Sequence, residues 1–325
     1  MFEGPVDDPH RQRGLQMMRA HPELKGLYGR NPWTAAIVAG LVLGQFSVAL
    51  LLSWIAAPWW MAIAVAWGFG AFVCHALFAS IHEATHQLVF RSPLHNRLVM
   101  IAANLPLLAP FAVSLGHWHL VHHRTQGQRS RDPDLPAEWE LHLFRGVVGK
   151  WVWHAFFPII QAVRTLHPDE RDALAPTDPW LLVNVGAQVA VAAALFGVLG
   201  TGGWVYLVAS LYFLFALHPL FGRYIQEHVV LFQRQETTSY YGPLNKVSLN
   251  FGHHVEHHDL PAVPWNRLPQ VRALAPEFFE RPAHHSWTCL WLRFLFDPSV
   301  QIASRVVRSG EQAPPMPALR RRSAS

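Results

Sequence analysis

The stretch WTAAIVAGLVLGQFSVALLLSWIAAPWWMAIAVAWGFGAFVCHALFASIHEATH, residues 33–86, decides the architecture. From Trp33 to Ala56 only Gln45 and a few hydroxyls interrupt an apolar run. At ~1.5 Å per residue such a helix reaches ~36 Å, enough to cross a ~30 Å hydrocarbon core with some tilt. Ala57-Pro58 breaks the run without a charge, and a second apolar run extends from Trp59 to about Ser80. A turn this tight and uncharged predicts a transmembrane hairpin whose turn faces outside, with the basic residues on the opposite side. The second span leads directly into Ile81-His82-Glu83-Ala84-Thr85-His86. Its two histidines, four apart, share one helical face where the chain leaves the membrane.

Composition agrees with a membrane protein. The 325 residues are 51% hydrophobic and only 14% charged, with 14 tryptophans and 20 phenylalanines, whereas soluble domains carry about 25% charged residues and aromatic residues collect at membrane interfaces. The formal charge of +5 comes from Arg and Lys flanking apolar stretches, which suits anionic lipid headgroups and argues against a nucleic-acid partner. Two cysteines, Cys74 and Cys289, exclude a disulfide framework or a thiolate cluster. Met1 to Arg30 is polar and has no apolar core of signal length, so it is expected in the cytoplasm.

Further along, Leu98 to Leu115 is apolar but holds Pro106 and Pro110, and predicts a broken, re-entrant or in-plane segment. Val147 to Val163, interrupted by Lys150, His154 and Pro158, predicts an interfacial helix. Trp180 to Gly200 and Trp204 to Phe221 form a second apolar pair joined by Thr201-Gly202-Gly203, the latter continuing to Val230 and carrying Glu227 and His228 out of the membrane. The expected fold is an all-α integral membrane protein with two transmembrane hairpins, about four spans, plus in-plane helices and a cytoplasmic histidine-rich cap. Residues 1–32 form a cytoplasmic N-terminal segment, 33–307 the membrane domain, and 308–325 a basic tail ending in Arg320-Arg321-Arg322.

Three histidine clusters fall on the same face. Beside His82 and His86 stand His119, His122 and His123 in Gly116–His123, and His254, His257 and His258 in Asn250–Pro261. The last two repeat the spacing His-x-x-His-His, which lets one imidazole and a following pair point at a common centre. Eight imidazoles exceed what one zinc requires. They suit two metal ions, and a histidine-rich site with open positions accommodates iron and oxygen activation. Glu83, Glu227, Glu256 and Asp259 are expected to accept the outer N–H of a ligating imidazole. His117 and His253 adjoin the clusters without fitting the spacing. His75 is expected to be packed, His284 and His285 solvated, and His10, His21, His95, His142, His154 and His167 at the surface. His82-Glu83-x-x-His86 alone also matches a zinc-protease pattern, a reading that leaves the other two clusters without a purpose.

The three clusters together resemble the membrane fatty-acid desaturase and hydroxylase superfamily, and within it the sphingolipid Δ4-desaturases, or dihydroceramide desaturases. Asp8-Pro9-His10 with Arg11 and Arg13, His21-Pro22-Glu23-Leu24-Lys25, Tyr240-Tyr241-Gly242-Pro243-Leu244-Asn245, Glu256-His257-His258-Asp259 with Pro261, and Leu268-Pro269 with Val271-Arg272 carry the resemblance. It implies a di-iron enzyme that uses O₂ and two electrons to introduce the trans C4–C5 double bond into the sphinganine chain of a dihydroceramide. It also implies a ninth ligand before the third cluster, His228 beside Glu227, with His218 as the alternative. Electrons would come from a separate cytochrome b5-like or ferredoxin-like donor. His253 stands where a Tyr is expected, Val255 replaces a polar residue and Gln87 an Asn. These departures keep an acyl-lipid desaturase and a C4-hydroxylase open as alternative outcomes. The Ala-, Arg- and Leu-rich composition points to a high-GC bacterium and its inner membrane.

Overall fold

The computed structural model describes residues 1–4, 9–166, 178–232 and 235–308. Asp8, His167 and the tail from 309 onward lie outside them. In chain order the helices are α1 (Pro9–Ala20), α2 (Trp33–Trp54), α3 (Trp59–Val65), α4 (Ala71–Thr85), α5 (Pro93–Asn104), α6 (Ala112–Thr125), α7 (Glu138–Leu143), α8 (Gly146–Ala155), α9 (Phe157–Leu166), α10 (Trp180–Phe196), α11 (Thr201–Phe215), α12 (Gly222–His228), α13 (His254–Asp259), α14 (Leu268–Leu274) and α15 (Trp287–Phe296). Two short strands, β1 (Phe2–Glu3) and β2 (Val306–Val307), pair in parallel and tie the two ends of the described chain together.

Three helical stretches are long and apolar enough to cross a membrane: Trp33–Trp54, Trp59–Thr85 and Thr201–His228. The first hairpin therefore forms where the sequence places it. Its second arm joins α3 to α4 through a π turn at Ala66–Gly70. Here the chain approaches α11 so closely that a Cβ on Gly70 would stand 1.9 Å from Ser210 Oγ. Gln45, the polar residue inside the first span, accepts a hydrogen bond from Tyr206 Oη at 2.7 Å and donates to Cys74 Sγ. A buried amide in an apolar layer needs such partners.

Pro93–Leu107 and Ala112–Thr125 meet at 117°, so the proline-broken segment folds back on itself and returns both of its ends to one side. Backbone groups freed at its apex need partners within the protein. Asn104 supplies them, donating to the Ala109 carbonyl and accepting from Ala112 N–H, while Asn184 and Gln188 of α10 donate to Asn104 Oδ1 and its carbonyl. Helix α10 has 17 residues, ~26 Å at ~1.5 Å per residue, somewhat less than a ~30 Å core.

Three expectations change. The helix from Trp204 is not continuous to Val230: Ala216 is extended and Leu217 has φ 49°. Pro219 cannot donate and pushes the residue before it out of the helical region. Leu217 N–H donates instead to His154 Nε2 at 2.9 Å. The single interfacial helix expected at Val147–Val163 is two, α8 and α9, and Lys150 is buried, its Nζ donating to the carbonyls of Asp297 and Val300. Arg308, placed in the tail by sequence, is also buried and pairs with Glu236.

On the histidine side, α1 lies against α13. A Cβ on Gly14 would stand 2.3 Å from the Asp259 carbonyl oxygen. Met17, Leu24 and Leu27 form one apolar cluster with Val255, Leu260, Val263 and Leu268, so Val255 is apolar because it faces the N-terminal segment.

Candidate metal centre

Each histidine cluster sits at the end of a helix. His82 occupies the last turn of α4 and His86 the residue just beyond it. His119, His122 and His123 lie in the last two turns of α6, His228 ends α12, and the short α13 carries His254, His257 and His258. Side chains three and four apart share a face, so each helix presents its histidines together. The fold brings all four helix ends to one place.

The nine rings form two adjoining groups. Ligand-capable nitrogens of His82, His86, His119, His123 and His257 lie within 4.8 Å of one another, as do those of His122, His228 and His258. His254 joins the second group, its Nε2 3.2 Å from His228 Nε2. The groups touch where His123 and His258 stack with ring centres 4.2 Å apart. His218 belongs to neither: it faces the Trp67 carbonyl and caps Leu220 N–H.

The ring nitrogens face one another directly. His119 Nε2 is 2.9 Å from the Nε2 atoms of both His86 and His123, and His122 Nε2 is 2.9 Å from that of His228. Two nitrogens bound ~2.1 Å from one ion at right angles would stand about 3 Å apart, which is the spacing seen. His82 Nε2 and His258 Nε2 are buried without a hydrogen-bond partner, a costly state that a metal ion would relieve. Burial lowers the pKa of His86 to about 4 and those of His254, His257 and His258 well below the ordinary value. Near neutral pH these imidazoles are therefore uncharged, the form that binds metal. The donor set fits iron.

The four carboxylates beside the clusters do not hold ligand imidazoles. Successive helical residues point ~100° apart, so a carboxylate next to a histidine faces elsewhere. Glu83 accepts Trp265 N–H, and Glu227 pairs with Arg223. Glu256 accepts from Ser239, Tyr241 and His253. Asp259 binds His10 and Arg13. The outer partner missed in the sequence is Asp132, which accepts His122 Nδ1–H at 2.8 Å. Burial opposes its charge, but His122 and the backbone N–H groups of Gly127 and Asp134 hold its pKa below the usual carboxylate range. Its signal was the Asp132-Pro133-Asp134 turn ten residues after His122. His10 and His154, expected at the surface, are buried, and His284 is half-buried against Phe232. His75 is packed between Phe251 and Trp287, as its place in an apolar run predicts.

A membrane-type helical fold that gathers histidines of three boxes at its helix ends defines a class, the membrane desaturases. The sequence model of the family "Fatty acid desaturase" matches residues 57–291, and that of "Sphingolipid Delta4-desaturase (DES)" matches residues 6–33. The chain is similar to a sphingolipid delta(4)-desaturase/C4-monooxygenase of Bos taurus, 37% identical over 310 residues covering 93% of each chain. It is 36% identical to a sphingolipid delta(4)-desaturase DES1-like protein of Oryza sativa, covering 93% of this chain and 91% of that one. To the sphingolipid delta(4)-desaturase of Drosophila melanogaster it is 35% identical, over 93% and 94%. The chain belongs to the sphingolipid Δ4-desaturases of the fatty acid desaturase family, a family of iron-dependent membrane oxidoreductases. The protease reading of His82-Glu83-x-x-His86 is not favoured: both histidines join a group of five, and Glu83 is held by Trp265.

Proposed function

We propose that the protein binds two iron ions and introduces the trans C4–C5 double bond into the sphinganine chain of a dihydroceramide. The observation that carries this reading is the division of nine histidines into two adjoining groups, in a chain of this family. His82, His86, His119, His123 and His257 would hold one ion, and His122, His228, His254 and His258 the other. Iron bound there supplies O₂ activation, which unactivated C–H bonds require because ordinary side chains have no acidity to exploit in them. Overall, one O₂, two electrons and two protons take two hydrogens from the chain and leave an alkene and two waters. The electrons come from a separate donor, cytochrome b5-like or ferredoxin-like.

The chain's own residues shape the alkyl site. A cleft lined by Ala79, Leu249, Phe251, Trp265 and Leu268 opens onto His82, His254 and His257. Apart from Glu83 and the histidines its walls are apolar, which suits the approach of a lipid tail. Asp132 orients His122 through Nδ1, leaving Nε2 turned inward. We place the histidine face and both termini in the cytoplasm, count α10 as a fourth, short span, and take residues 33–307 as the membrane domain. A bacterial inner membrane rests on composition alone, since the relatives described above are eukaryotic. C4-hydroxylation is the second reading, favoured by the C4-monooxygenase named among the relatives. Mass spectrometry of lipids from a host expressing the protein, fed dihydroceramide and free fatty acids in parallel, separates these outcomes. Product from the fatty acids alone would overturn the substrate assignment.

A further inference from the structure

The segment matched by the sphingolipid Δ4-desaturase family, residues 6–33, contributes none of the nine histidines, yet it reaches their centre. His10, in the first turn of α1, is 2% exposed. Its ring centre lies 4.9 Å from that of His258. Nδ1 stands 2.8 Å from Asp259 Oδ1, and Nε2 stands 2.9 Å from Thr237 Oγ1. Thr237 Oγ1 is in turn 3.3 Å from His228 Nδ1 and accepts from Gln126 Nε2. Arg13 binds both oxygens of Asp259 at 2.6 Å.

Donor and acceptor counting gives this chain a direction. Nδ1 faces Asp259 Oδ1 at 2.8 Å and Arg13 Nη2 at 3.0 Å; two acceptors that close would repel, and Arg13 Nη2 already donates to Oδ1 at 2.6 Å, so Nδ1 carries the hydrogen and Nε2 of the neutral ring is the acceptor. The Thr237 hydroxyl has one hydrogen to give, and His10 Nε2 takes it. Its oxygen is then left to accept from Gln126 and from His228 Nδ1–H. A hydrogen on Nδ1 of His228 leaves its Nε2 lone pair pointing at His122 and His254. Outer hydrogen bonds of this kind fix the tautomer and ring plane of a ligating histidine.

We propose that His10 is a positioning residue for the second histidine group. Through Thr237 it sets the tautomer and orientation of His228, and Arg13 and Asp259 fix His10 itself. The N-terminal segment is thus a structural part of the metal centre, and it acts on one half of it. This inference rests on the two-iron reading above.

The test uses the full-length purified protein loaded with iron-57. Iron per chain, its loss to excess chelator and its Mössbauer spectrum are measured for wild type, His10→Phe, Thr237→Val and Thr237→Ser. Phe keeps the ring without its nitrogens, Val keeps the shape of Thr without its hydroxyl, and Ser restores the hydroxyl. Expected are two irons in wild type and Thr237→Ser. In His10→Phe and Thr237→Val one of the two should leave at least about 10-fold faster, the cost of losing an outer partner, with one spectral component altered and the other kept. Should His10→Phe misfold or lose both irons, Thr237→Val against Thr237→Ser decides. Equal retention and unchanged spectra in that pair overturn the proposal. A wild type that binds no iron sinks the two-iron reading instead.

Discussion

Five histidines, His82, His86, His119, His123 and His257, form the first group, and three of them, His86, His119 and His123, are only half-buried. The four of the second group, His122, His228, His254 and His258, are all buried. The first group hangs mainly from the ends of α4 and α6, helices anchored in the apolar layer. Among the described residues, no carboxylate or hydroxyl accepts a hydrogen bond from its outer ring nitrogens, and His257 Nδ1 is buried without a partner. The second group is held from outside: Asp132 takes His122, and Thr237 takes His228. One group is placed by packing, the other by hydrogen bonds from the loops that follow α6 and α12. A packed helix end tolerates the loss of any single polar contact, whereas His228, at the end of the seven-residue α12, depends more on its outer partner.

The largest effect is expected from removing a ligand. His257→Ala should lower product by more than about 100-fold, beyond what loss of an outer partner costs, with the protein still in the membrane fraction. Lipid mass spectrometry beside an immunoblot checks this, and an unchanged lipid profile would remove His257 from the centre. Asp132→Asn should weaken iron binding or activity about 10–100-fold and act on the second group alone. Chelator competition that showed both irons loosened equally would erase the distinction between the groups.

Acid should act on both groups. His86, His254, His257 and His258 have pKa values depressed by burial in the folded chain. Below about pH 6.5, the ordinary histidine value, the unfolded chain takes up protons that the folded one refuses. Their contribution to the stability of the metal-free protein is therefore full above that pH and falls as the pH drops toward 4. Urea melts between pH 7.5 and 4.5 measure it, and a midpoint that rose with acid would contradict neutral imidazoles. The smallest effect on the centre is expected from His218→Ala. It should cost about 1–3 kcal/mol of stability through two lost hydrogen bonds while iron content stays at the wild-type level. His228→Ala should lose iron, and the reverse pattern would exchange the two assignments.

The membrane spans and the histidine boxes were legible because their signals are local: apolar length, and spacing on one helix. The family resemblance implied His228 as a ninth ligand with His218 as the alternative, and the fold brings His228 into the second group while His218 faces Trp67. What was not legible depends mostly on tertiary contacts. Glu83, Glu227, Glu256 and Asp259 looked like imidazole partners because they adjoin histidines, yet adjacency on a helix turns them away. His10 looked like surface because its partners, Asp259 and Thr237, are set by tertiary contact. His154 was unreadable for the same reason, its role being to fill the gap left at Leu217 before Pro219. Span count stayed ambiguous because α10 is short and the α5–α6 pair bends back.

The joining of β1 to β2, with the seating of His10 on Asp259, has a consequence for synthesis. His10 meets a partner 249 residues away, and Phe2 pairs with Val306. While the ribosome is still working, the first two boxes are already made and the third is not, so the early chain holds histidines that nothing encloses. β2 follows the third box in the chain, so β1 stays unpaired until all three boxes have been made. Iron delivered before that moment would find the binding site half built.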